Sequence, residues 1–143
     1  MIKLASALLL SALLSSCATT KGGRGDPETF KKGVEALYEN FRWKDFRAAA
    51  PSLVPEKRDA FLAARKKHND DKDLTITEYT LHEVRFNEDA TKAKLVTEIS
   101  WFRLPSPSQH SDTVENEFVW KDGVWLLERQ DAGPFVPELN NAP

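Results

Sequence analysis

Cysteine is nearly absent from this 143-residue chain, which has a single one at position 17. No disulfide can form within one molecule, so the fold has to rest on its core. Histidine is scarce as well. His68, His82 and His110 fall on what read as a helix end, a strand and a loop. None has the paired spacing of a zinc motif, so no metal site is expected. Positive charge is not in excess: 20 basic against 22 acidic residues leave a net charge of −2, so nothing here is basic enough to suggest nucleic acid, and no such partner is expected. Long apolar runs are missing too. The longest, Leu4 to Leu14, covers about eleven residues, too few to cross a bilayer core of about 30 Å. The chain has no Gly-x-Ser-x-Gly nucleophile motif, no phosphate-binding glycine loop and no paired-carboxylate signature, so no cofactor is expected. It also has no internal repeat.

At the N-terminus, Met1-Ile2-Lys3 is a short positive region, followed by the apolar run and the small residues Ser15 and Ser16. This is the layout of a cleaved export signal. Leu14-Ser15-Ser16-Cys17 resembles the lipobox of bacterial lipoproteins. The resemblance implies cleavage before Cys17, so that residues 1–16 form the signal peptide. It also implies two or three acyl chains on Cys17, which meets the need for more than one chain in stable anchoring. The expected partner is therefore a lipid bilayer. Removing residues 1–16 takes away Lys3 and leaves 19 basic against 22 acidic residues, about −3; this net sign brings no attraction to anionic lipid. Residues 17–26 read as the lipidated cysteine and a flexible tether. By the same resemblance, Ala18 in place of an aspartate favours the outer membrane, with the domain facing the periplasm.

Asp26-Pro27-Glu28 opens a helix, with a capping side chain, a proline at the first turn and an acid at the positive dipole end. Phe30, Val34, Leu37, Tyr38 and Phe41 follow at helical spacing. Trp43-Lys44-Asp45 breaks the helix, with Trp43 expected to pack the helices together. A short helix over 46–50 ends at Pro51. A third helix starts near Pro55-Glu56, carries Phe61, Leu62 and Ala64 inward, and ends in the basic run Arg65-Lys66-Lys67, read as a solvated face. Residues 69–73 read as a polar connector. From Leu74 the pattern turns to alternation, with strands at about 74–86, 90–104, 112–121 and 124–130 and a loop at 105–111. Asp122-Gly123 is the dipeptide that a type I′ hairpin prefers. Residues 131–143 form a proline-rich tail whose Phe135 and Val136 can fold back over the core.

Helices followed by an antiparallel meander make an α+β domain. The long amphipathic helix, the Trp43-Lys44-Asp45-Phe46 break and the Trp120-Lys121-Asp122-Gly123-Val124-Trp125-Leu126-Leu127 hairpin resemble the nuclear transport factor 2-like superfamily over residues 27–130. The resemblance implies a curved four-stranded antiparallel sheet wrapped around the N-terminal helices as a cone, often with a pocket inside. Its members include isomerase-like and dehydratase-like enzymes and many non-catalytic domains of secreted bacterial proteins.

Strand alternation gives a map of the inner face. With Glu88-Asp89 as the first turn, Phe86 faces Thr91, His82 faces Leu95, Glu78 faces Ile99 and Ile76 faces Trp101. At the second hairpin Trp120 faces Trp125, Phe118 faces Leu127 and Asn116 faces Arg129. The candidate pocket is thus Glu78, His82, Trp101, Asn116, Phe118, Trp120, Trp125 and Arg129. His82 is suited to act as a base or ligand donor, or to sit as a packed histidine with one hydrogen bond. Arg129 can bind a carboxylate ligand or pair with Glu78, Glu115 or Glu117. The tryptophans can stack on a flat ligand or fill the core. Glu78 and His82 lie about 13 Å apart along one strand, too far for an acid–base dyad, and Tyr79 falls on the outer face in this register. The expectation is a non-catalytic, membrane-tethered binding or accessory domain whose partner is an envelope protein or a small apolar molecule. Two alternatives stand beside it. One is a module that self-associates as a homodimer through the outer face bearing Val96 and Phe102. The other is a cone-fold isomerase or dehydratase using His82 with Glu78 or Arg129.

Overall fold

The computed structural model describes residues 23–141. The expected signal peptide, Cys17 and most of the tether lie outside these residues. Helix α1 (Pro27–Arg42) begins where Asp26 caps it: its carboxylate accepts from the Thr29 backbone N–H and hydroxyl, both at 2.8 Å. The expected stripe of Phe30, Val34, Leu37, Tyr38 and Phe41 is buried. The short helix α2 (Phe46–Ala49) runs through a 3-10 turn (Ala50–Ser52) to α3 (Pro55–Lys67) and a single helical turn, α4 (Asp70–Asp73). Four strands follow: β1 (Leu74–Phe86), β2 (Lys92–Arg103), β3 (Ser106–Lys121) and β4 (Val124–Gln130). They form one antiparallel sheet in the order β1-β2-β3-β4. The expected α+β architecture, helices packed on a four-stranded antiparallel sheet, is the one observed.

Both hairpins at the ends of the sheet contain bulges, and these revise the inner-face map. Ile76 faces Trp101 as expected, but a shift between Ile76 and Glu78 places Glu78 opposite Ser100 and Tyr79 opposite Ile99. Tyr79 and Leu81 therefore pack on the core, while Glu78 is exposed. A second shift between Leu81 and Val84 puts Phe86 opposite Ala93. In the other hairpin Trp120 faces Trp125 and Phe118 faces Leu127, as expected, and the two central residues take the positive φ of the type I′ turn, Asp122 at 52° and Gly123 at 80°. A bulge between Glu117 and Phe118 then sends Arg129 opposite Glu117 and brings Gln130 to Asn116. The segment expected as a loop at 105–111 is mostly strand, since β3 pairs with β2 back to Ser106. Its polar residues face solvent, so the sequence carries no apolar alternation there.

Charged residues expected in solvent are buried at the far end of the sheet. Asp70, in the expected polar connector, is fully buried; it accepts from Arg103 Nε at 2.8 Å and forms an ion pair with Arg65, whose Nε lies 3.1 Å away without a hydrogen bond. The Arg65 guanidinium also bonds Glu138 at 2.8 Å and lies over the Phe61 and Phe135 rings. The tail is thereby part of the domain. Phe135 and Leu139 are fully buried, Gln130 N–H bonds the Leu139 carbonyl at 2.9 Å, and the buried Lys57 ammonium donates to the Glu128 and Leu139 carbonyls. Trp43, in contrast, is 73% exposed and donates its indole N–H to Glu39 at 2.9 Å; it does not pack the helices together.

At the centre of the core lies a closed polar network. The Tyr38 hydroxyl sits 2.8 Å from Thr97 Oγ1 and donates to Asn116 Oδ1 at 2.8 Å. The Asn116 amide N–H₂ donates to the Leu95 carbonyl at 2.9 Å, and Gln130 Nε2 donates to Asn116 Oδ1 at 2.7 Å and to Tyr38 at 3.3 Å. All four side chains are buried. Burial pushes the Tyr38 phenol up to about 12, because ionisation would place a charge in this dry centre.

Two stability measurements follow. Leu139→Ala lowers the unfolding free energy in urea by about 2–5 kcal/mol, the cost of a cavity at a buried leucine; a loss near zero would mean that the tail is not part of the core. Tyr38→Phe costs about 1–3 kcal/mol near neutral pH, because Asn116 and Gln130 lose a partner in a dry site. The folded phenol titrates above the unfolded one, so its contribution is complete below pH 10 and fades between about pH 10 and 12. The gap between wild type and Tyr38→Phe should narrow over that window.

Candidate functional site

Where the sheet curves away from α1, a groove of about 450 Å³ opens between α1 and β1. Phe30 and Val34 of α1, Leu81, Val84 and Phe86 of β1 and Leu95 of β2 line its apolar part, with Lys31, Glu35 and His82 at the rim. It exists because β1 is an edge strand and because the bulge between Leu81 and Val84 breaks its alternation. Val84 is left 38% exposed, one of few large apolar side chains in that state. At the rim the exposed Lys31 lies 4.0 Å from Glu35, and His82 Nε2 lies 2.6 Å from Glu98 Oε2. Beyond the groove, the Tyr79 hydroxyl donates to Glu39 at 2.5 Å. That bond, with the one from Trp43, holds the Glu39 carboxyl below its ordinary pKa. Desolvation and the neighbouring Glu39 push the Tyr79 phenol up to about 12.

The residues expected to converge in one pocket are divided among three places. His82 lies on the bulge, exposed, at the rim of the groove, with its ring nitrogen bonded to Glu98 rather than aimed into a cone. Glu78 is on the exposed surface, and Arg129 is outside with its guanidinium 3.3 Å from Glu117. Each was displaced by a one-residue bulge, which exchanges the two faces of a strand. Asn116, Phe118 and Trp125 do point inward but are packed: Asn116 in the polar network, Phe118 and Trp125 edge-on to Phe30 with ring centroids 5.1 and 5.3 Å away. Trp120 is half-buried against Trp125. Trp101 is half-buried at the other end of the sheet, stacked on His110 at 4.4 Å, with its indole N–H on Asp112 at 2.7 Å. No two of the acid–base candidates Glu78, His82 and Arg129 approach each other.

The polar network itself was missed: Tyr38 was expected on the buried stripe of α1 and Thr97 on the inner face, but neither was given a polar partner, and Gln130 was not placed inward. Tyr38 and Thr97 had a usable signal, since a tyrosine on the buried stripe of a helix needs a partner for its hydroxyl, and Thr97 lies on the inner face of β2. Gln130 had none, because the bulge that brings it inward leaves no mark in the alternation. Among the described residues no group of three or more His, Cys, Asp or Glu side chains is placed to hold a metal ion, and no helix is long and apolar enough to cross a membrane. A second groove of about 570 Å³ lies between α2 and α3, lined by Phe46, Arg47, Leu62 and Arg65 among others. The Arg65 guanidinium there is occupied by Asp70 and Glu138. The α1–β1 groove is suited to hold an apolar chain; it presents no nucleophile beside a base.

The chain matches no protein-family model and no curated protein sequence. It does match solved structures. A nuclear transport factor 2-like protein of unknown function from Shewanella oneidensis superposes with a TM-score of 0.58 at 15% identity, covering 72% of this chain and 94% of that one. A SEC-C motif containing protein from Rhodopseudomonas palustris gives 0.57 at 16% identity over 71% of this chain and 77% of that one. A proposed polyketide cyclase from Xanthomonas campestris gives 0.51 at 17% identity over 72% and 87%. At these identities the likeness concerns the fold, and together with the observed helices on a four-stranded antiparallel sheet it makes this a domain of the nuclear transport factor 2-like fold.

Proposed function

We propose that this chain is a lipid-anchored, non-catalytic binding module of the bacterial cell envelope, tethered through Cys17 and engaging an apolar ligand or envelope partner along the α1–β1 groove. The observation that carries this reading is the division of the concave side of the sheet. Its polar side chains, Tyr38, Thr97, Asn116 and Gln130, are buried and bonded to one another. Its open part is apolar. An enzyme of the isomerase or dehydratase kind needs an acid or base within hydrogen-bond reach of a bound substrate. Here Tyr38 is locked in the core, and His82 is bonded to Glu98. The outer face of the sheet, the surface for a self-associating module, carries Lys94 paired with Glu115 and Glu117 at 3.3 and 3.7 Å, and Arg129 on Glu117. Packing two such faces together would desolvate these pairs at a cost their attraction only partly offsets, which favours the tethered binding role.

The anchor rests on the Leu14-Ser15-Ser16-Cys17 sequence and on Cys17 being the sole cysteine; Ala18 supports the outer membrane. Growth of a two-membrane bacterium with an alkyne-bearing fatty acid tests it. The wild-type chain should take up the label and sediment with the outer membrane, and Cys17→Ser should lose at least tenfold of the label. Label retained by Cys17→Ser would sink the anchor.

A further inference from the structure

The described chain begins beside the groove. Arg24 donates to the Glu88 carbonyl, and the Gly25 N–H donates to the Ala90 carbonyl at 2.7 Å, so this segment is pinned across the β1–β2 turn. Gly25 is buried on Trp125, where a Cβ would come within 2.1 Å of the indole. Two residues later Pro27 forms part of the groove wall. The chain therefore reaches the domain at the end of the groove marked by Pro27 and Phe86.

Cys17 precedes Gly25 by eight positions, a maximum reach of about 27 Å. The groove is shorter on both sides. From Pro27 to Val34 the helix rises about 10 Å, and from Leu81 to Phe86 the strand extends about 17 Å. The intervening Ala18-Thr19-Thr20-Lys21-Gly22 has no large apolar side chain. What this segment can offer an apolar groove is the group carried by Cys17. The groove volume falls within the range of about 300–1,000 Å³ seen for ligand sites.

We propose that the α1–β1 groove holds one acyl chain of the protein's own lipidated Cys17, shielding it from water while the protein is away from a bilayer. The proposal rests on the reading of Cys17 as the lipid anchor. It gives the groove an intramolecular occupant: the tether keeps the acyl chain at high local concentration, and a membrane competes for it.

The lone thiol makes this testable without the cellular machinery. The chain from Cys17 onward, which contains every described residue, is alkylated with hexadecyl maleimide or with ethyl maleimide. Methyl resonances and amide exchange are then compared without detergent. The hexadecyl adduct should be monomeric, with Val34, Leu81, Val84 and Leu95 methyls shifted and exchange across residues 81–86 slowed at least tenfold. Val84→Glu should erase both effects, and Val124→Glu, at the exposed β3–β4 turn, should leave them. Groove methyls identical in the two adducts would overturn the proposal. So would shifts that grow with the concentration of the ethyl adduct, which would mean a second copy in the groove. Equal shifts from equimolar free palmitate on the ethyl adduct would remove Cys17 as the source. Mass spectrometry of the cell-made protein separates the two readings: no acyl mass on Cys17 overturns the anchor and this proposal together, whereas an acylated Cys17 with an unshifted groove overturns this proposal alone.

Discussion

The hydrogen bonds between Tyr38, Thr97, Asn116 and Gln130 tie α1 to β2, β3 and β4 at one point. A helix packed on a sheet by apolar contacts alone can slide or rotate at small cost, because the hydrophobic effect is non-directional. A phenol with three polar partners cannot do so without leaving a donor or acceptor dry. The network therefore fixes the rotation of α1 about its axis. With Tyr38 inward, Phe30 and Val34 must lie against Phe118, Trp125 and Leu95, and the outer shoulder of α1 must face β1. The groove is the space left between that shoulder and an edge strand whose bulges carry it outward. Closure of the cone and opening of the groove follow from one constraint.

Much of this fold was legible because its strongest signals are local. The Asp26-Pro27 cap, the buried stripe of α1, the ends of β1 and β4 and the Asp122-Gly123 turn each follow from one or two residues whose chemistry permits few alternatives. The candidate site was less legible because it depends on parity along two long strands. A bulge adds one residue and exchanges the two faces from that point on. Counting from the turn, Phe86 and Val84 keep their inward assignment, but His82 and Glu78 lose theirs, and Tyr79 takes the inner place that Glu78 was given. The same arithmetic substitutes Gln130 for Arg129. None of these three bulges is marked by a glycine or a proline, so no residue announces them.

Charge misled in a different way. Arg65, Asp70, Lys57 and Glu138 look like a solvated helix face, a polar connector and a loose tail, yet the first three are buried and Glu138 is close to it. Buried charges cost several kcal/mol each unless they are paired and hydrogen-bonded, and here every one has a partner from a distant part of the chain. Asp70 takes two guanidiniums, Arg65 takes two carboxylates, and Lys57 takes two backbone carbonyls. Such pairing is set by tertiary contact, so no window of sequence displays it. Its effect is to clamp the tail over the open ends of α3 and β4, which turns a segment that reads as an appendage into the last layer of the core.

The two edges of the sheet are treated in opposite ways, and the uncovered one bears the α1–β1 groove. At β4 the edge is covered by the chain itself: Leu53 pairs alongside Leu127, the Val54 N–H bonds the Leu127 carbonyl, and the tail bonds Gln130. At β1, thirteen residues long, no described segment pairs along the outer side. A long, regular, uncovered edge invites pairing with any other strand, and bulges and charged side chains are the usual defences. β1 has both: two bulges, and the exposed charged residues Glu78, Glu83 and Arg85. Backbone pairing is thereby discouraged while an apolar strip, Leu81, Val84 and Phe86, is kept open beside α1. That combination disfavours a partner strand and is compatible with the proposed acyl chain, which has no backbone hydrogen bonds to make.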